Sequence, residues 1–199
     1  MPLQPEQAAR LLRRATYASV SVAVVLIVAK ALAWNLSGSV SLLATLVDSV
    51  LDAAASLVNL VAVRHALAPA DREHRFGHGK LEALAGLGQA IFILGSAVFL
   101  LVEAVRRLLD PVALEALGPG LGVLALSIAL TLLLLAYQRH VIRLTDSMAI
   151  RADALHYRSD LLVNLSVILA LLLSTWGWAG FDGLFALAIA LYILRTAWE

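Results

Sequence analysis

The sequence predicts an all-α integral membrane protein of six transmembrane helices with both termini cytoplasmic. Three observations predict it. Of the 199 residues, 61% are hydrophobic, where soluble domains hold about 45–50%. The excess gathers into runs of about 20 residues, the length that crosses a ~30 Å hydrocarbon core as a helix. Basic residues cluster on alternate loops: Arg10 to Arg14, Arg64 to Lys80, Arg139 to Arg151, and Arg195 make eleven on one side, against Arg106 and Arg107 on the other. The excess marks the cytoplasmic side.

The spans follow in order. Residues 16–35 come after the polar, basic stretch MPLQPEQAARLLRRATYA and are too long an apolar run for a cleaved leader. The next spans fall at about 40–64, 82–105, 119–138, 150–175 and 179–198. All five prolines lie outside span interiors, as helix sterics require, and all four tryptophans sit at span ends, where amphipathic rings favour the interface. The outer connections NLSGS and WGWAG are short, so spans one and two, and spans five and six, are antiparallel neighbours. There is no cysteine, which excludes disulfides and thiolate metal ligands. The net charge of +1 excludes little by itself.

Span two carries Asp48 and Asp52 inside the run VSLLATLVDSVLDAAASLVN. An acid there costs roughly 2.5–3.5 kcal/mol on insertion scales, so two need a reason. Positions i and i+4 share a helix face, and Ser56 and Asn59 extend the same polar stripe. Span five carries a second such pair in ADALHYRSD, His156 and Asp160, with Asn164 one turn on. At 1.5 Å per residue, Asp52 lies ~18 Å and Asp160 ~15 Å from the cytoplasmic ends of their helices. A single buried aspartate can serve as a structural hydrogen-bonding group. Two matched pairs, with three carboxylates and one imidazole, make a workable shell for a small divalent cation.

The connection PADREHRFGHGK offers Asp71, His74 and His78 at spacings of three and four. On spacing alone, both a solvated mixed-charge loop and a metal site stay open. His65 and His140 read as uninvolved interfacial histidines. Lys30 is expected to snorkel to the headgroups. Arg158 lies about 200° around the helix from His156, with no evident partner.

These residues resemble a known family. GSVSLLATLVDSVLDAAASLVN, HRFGHGKLEALA and AIRADALHYRSDLLVN look like the cation diffusion facilitator family, most closely its bacterial zinc and ferrous-iron efflux branch. The resemblance runs through all six spans and makes residues 1–199 a cation-efflux transmembrane domain. It implies a transport site at Asp48, Asp52, His156 and Asp160 and a cytoplasmic loop site at Asp71, His74 and His78. It also implies that Lys80 belongs to a charge interlock between protomers, since members of the family are typically homodimers. The family's usual cytoplasmic C-terminal metal-binding domain is expected to be absent.

What the resemblance implies is a transporter in the inner (cytoplasmic) membrane, not an enzyme, with no nucleic-acid partner. It would exchange cytoplasmic metal for protons by alternating access. The metal is substrate, not cofactor. One imidazole with three carboxylates and no sulfur suits Zn2+ first, then Fe2+ or Cd2+. Metal must displace protons from its ligands, and His156 is the natural carrier, as imidazole titrates near neutrality. Exporting a dication against 100 mV costs about 4.6 kcal/mol, at ~2.3 per charge, which two entering protons would offset. Neither a GxGD motif nor an HExxH motif is present, which argues against intramembrane proteolysis. A membrane metal sensor that binds without transporting is the alternative.

Overall fold

A computed structural model describes residues 4–38, 40–69, 77–110, 118–174 and 181–198. Six α-helices carry them: α1 Pro5–Ser37, α2 Val40–Ala66, α3 Lys80–Leu109, α4 Gly118–Thr145, α5 Met148–Ser174 and α6 Phe181–Trp198. Among the described residues, α1 to α4 are each long and apolar enough to cross a membrane. Helix α5 matches α2 at 27 residues and packs among them.

Two helices run furthest past the predicted spans. Pro5 opens α1 at its first position, where a missing N–H costs nothing, so the basic segment continues the helix beyond the apolar run. Gly38 ends α1 at φ +64°, its N–H bonded to Trp34 O at 2.7 Å. Helix α4 extends to Thr145, because Arg139, His140 and Arg143 can stay helical and solvated beyond the apolar run. Only Asp146 and Ser147 then connect α4 to α5. Asp146 takes φ +52° and Ser147 Oγ accepts the Ile150 N–H at 3.3 Å, so this tight connection sets where α5 begins. The position of every functional group on α5 follows from it.

Inter-helix bonds fix the directions. Lys30 reaches Thr45 O near the α1–α2 turn, Asn59 reaches Ala149 O, Ser147 bonds Glu82, and Arg107 bonds Asp182. One end of the bundle therefore gathers the starts of α1, α3 and α5 with the end of α2. This is the basic end, which the charge bias assigns to the cytoplasm. Helices α1, α2, α4 and α5 form a ring of neighbours, while α3 and α6 pack closely as a pair against it.

The burial pattern is inverted relative to a soluble domain. Small residues fill the helix contacts, with Ala15, Ala104, Ala149 and Ala190 fully buried. Large apolar side chains such as Leu133 and Val58 point outward at 69% and 65% exposure. Buried positions include Ser19, Asn59, Gln89, Gln138 and Asp153. Lipid is as apolar as leucine, so close backbone approach and hydrogen bonds hold such helices together. The α3–α6 contact shows the first clearly. A Cβ on Gly183 would lie 2.9 Å from Leu108 Cγ and 3.0 Å from its backbone nitrogen. Gly183→Val should therefore overpack the pair and cost about 1–3 kcal/mol of stability. A melting curve in detergent reads it, and an unchanged midpoint would show that α3 and α6 part easily.

Candidate metal site

The i, i+4 spacing on α5 turns His156 and Asp160 to one side of that helix, and α2 presents Asp52 opposite. His156 Nε2 lies 3.2 Å from Asp52 Oδ1 and 3.5 Å from Asp160 Oδ2. Donor atoms of the three residues all fall within 4.8 Å of one another. His156 is 3% exposed, with its Nε2 set between the two carboxylates. Such an arrangement can hold a shared cation. Phe92 and Tyr157 meet the imidazole edge-on, each at 5.5 Å between centroids, and pin its plane.

Asp48 does not join this group. It lies one turn outward on α2, exposed on the wall of a cavity of about 860 Å3 that also reaches Asp52, His156 and Asp160. The cavity runs from the triad to the end of the bundle opposite the basic one, past Lys30, Thr45, Asn164, Glu103 and Arg107. Lys30 departs from its expected place. Its ammonium turns inward and donates to Ser49 Oγ at 2.5 Å and Thr45 O at 3.1 Å. The polar cavity wall supplies acceptors at the lysine's own depth, so it has no need to climb to the headgroups. Arg158 points away from the site, as its helical angle requires, and stacks over Tyr192 of α6 at 5.4 Å from the ring centroid. A cation over an aromatic face is a favourable partner.

Asp71 and His74 lie outside the described residues. His78 is half-buried just before α3, and Lys80 is exposed as the first residue of that helix. Among the described residues, no donor group of three or more includes His78. The polar stripe on α2 continues as expected: Ser56 meets Tyr157 OH at 3.0 Å, and Asn59 donates to Ala149 O at 3.5 Å. The sequence reading passed over Asp153. It is fully buried one turn below His156, held by Ser19, Gln89 and Gln138 from three other helices. Its spacing of three from His156 and seven from Asp160 put it on the same helix face, and that was the available signal.

Comparison with known proteins identifies the family. Residues 16–199 match the model of the cation efflux transmembrane domain. The chain is 50% identical over 188 residues to the cation-efflux pump FieF of Salmonella paratyphi A, covering 94% of this chain and 63% of that protein. It is 51% identical over 191 residues to the FieF pump of Serratia proteamaculans, covering 96% and 64%. The FieF pump of Salmonella arizonae is 49% identical over 188 residues, covering 94% and 63%. The chain thus spans a little under two thirds of the length of these relatives.

Proposed function

The chain belongs to the cation efflux (cation diffusion facilitator) family, and from that premise we propose that it exports a divalent metal cation from the cytoplasm in exchange for protons. Zinc is the first candidate, with ferrous iron or cadmium next. The observation that carries the reading is the triad of Asp52, His156 and Asp160. Their donor atoms lie within 4.8 Å of one another at the inner end of a cavity leading to one side of the bundle. Two carboxylates and an imidazole suit zinc, and a tetrahedral ion takes a fourth ligand. Asp48, on the next turn of the same face, is the nearest carboxylate on α2 to supply it.

Binding requires the ligands to lose their protons, so loading with metal expels protons and protonation promotes release. This chemistry is an exchange in itself. Coupling to transport needs only that loading and release occur on opposite sides. The protein works as a homodimer in the cytoplasmic membrane, with Lys80 in a charge interlock between protomers. Asp71, His74 and His78 collect metal at the cytoplasmic mouth.

Metal-dependent flux in proteoliposomes with an imposed pH gradient tests the proposal. Zinc should accumulate against its gradient and drive protons the other way. Zinc binding with no flux would sink the transporter reading and favour the sensor. The loop makes a smaller prediction. Outside the hydrocarbon it can relay metal but cannot occlude it, so His74→Ala with His78→Ala should slow flux a few-fold at low zinc. Complete loss of flux in the folded variant would reverse the ranking of the two sites.

A further inference from the structure

On the cavity side of the triad the bundle is open. On the basic side it is closed in two layers. The outer layer is apolar, built from Leu12, Ala15, Val63, Ala85, Val141, Ala149 and Ile150. Between it and the triad sits the Asp153 cluster. Ser19 Oγ of α1 donates to Asp153 Oδ2 at 2.6 Å, Gln138 Nε2 of α4 donates to the same oxygen at 2.7 Å, and Gln89 Nε2 of α3 donates to Oδ1 at 3.2 Å. Gln138 Nε2 also reaches Ser19 Oγ at 3.1 Å. One turn on, Tyr157 OH donates to Ser19 O at 3.0 Å and meets Ser56 of α2. Four helices thus converge on two residues of α5. Tyr157 borders the cavity, whereas Asp153, Ser56, Asn59 and Gln89 do not.

The carboxylate is well supplied, and bonds to an ionised acceptor are the strong ones. These bonds lie between the triad and the apolar layer, so the basic side cannot open without breaking them.

We propose that Asp153 is the latch of the cytoplasmic gate: its bonds to Ser19, Gln89 and Gln138 hold α1, α3 and α4 against α5 while the site faces outward, and admission of metal from the cytoplasm requires their rupture. This role rests on the transport reading of the triad. Asp153 acts as a positioning residue, since it lies outside the donor group of Asp52, His156 and Asp160 and sets only which side of the triad is sealed.

The chain has no cysteine, so single cysteines report accessibility without background. Ala44→Cys places one on the cavity wall, and Ala85→Cys places one in the apolar layer. A membrane-impermeant maleimide is applied from each side of reconstituted vesicles, without metal. In the native background, the cavity cysteine labels and the layer cysteine is protected. Asp153→Asn should raise labelling of the layer cysteine from the basic side by about tenfold, the effect of losing one charge-assisted bond. Labelling of the cavity cysteine should fall in step. Gln138→Leu, which keeps the carboxylate, should act in the same direction with a smaller shift, and it carries the test if Asp153→Asn does not fold. A rise at both reporters signals loosened packing and overturns the latch, as does unchanged labelling. Zinc flux measured on the same vesicles separates the two readings: reciprocal labelling with no native flux keeps the latch and sinks the transporter, and flux without reciprocal labelling does the reverse.

Discussion

Zinc flux into proteoliposomes is expected to fall to background in Asp52→Ala and in Asp160→Ala, with both proteins still folded. Each carboxylate lies within 3.5 Å of His156 Nε2, one from each of two helices. Removing either leaves the imidazole with a single close carboxylate and takes the nearest α2 ligand, or half of the α5 pair, out of the shell. Groups that merely orient metal ligands are worth 10–100-fold in affinity, so a direct ligand should cost at least about 100-fold. Folding should survive, since both residues border the cavity and hold no inter-helix knot comparable to the one at Asp153. Asp48→Ala should cost less, because Asp48 stands outside the 4.8 Å group. Calorimetric zinc titration beside the flux assay checks both parts. Native-like binding and flux in the two strong variants would place the transport site elsewhere.

His156→Asp should change which metal is carried. It exchanges a borderline nitrogen for a hard oxygen, and hard oxygen shells favour manganese over zinc and cadmium. The local packing adds to this. Phe92 and Tyr157 hold the imidazole edge-on, and an aspartate at 156 is shorter than the ring they enclose. Its oxygens would sit further back on α5 and leave a wider site for a larger ion. The substitution also removes the side chain whose ordinary titration lies nearest neutral pH. Manganese flux should rise relative to zinc, and the pH profile of exchange should move. Competition flux at several pH values measures both, and an unchanged zinc-to-manganese ratio would mean that His156 is not a ligand.

The fold was legible because apolar length and loop charge each report directly on the bilayer. Helix ends were less so. Nothing in the polarity of Arg139 or His140 says whether a helix stops at the membrane surface or continues into water, and α4 continues. The triad was legible because buried acids are costly and the i, i+4 spacing is unambiguous. Lys30 was misplaced for a related reason: depth alone does not reveal a polar cavity on the neighbouring helix. Asp153 escaped notice because its partners, Ser19, Gln89 and Gln138, are single polar residues scattered over three apolar helices. Each is unremarkable in its own span, and only packing brings them to one point.

The two helices that carry the triad touch each other sparingly. Where they do meet directly, the bonds lie toward the basic end, at Ser56 with Tyr157 and Asn59 with Ala149. Beyond the triad, the cavity keeps them apart. Helices α2 and α5 are therefore a pair of tongs, hinged below and gripping at Asp52 on one arm and at His156 and Asp160 on the other. An ion held between the arms is itself the strut that sets their separation. On the proposed transport reading, the radius of the ion and its preferred coordination angle would become a distance between helices, read in how far the tongs close.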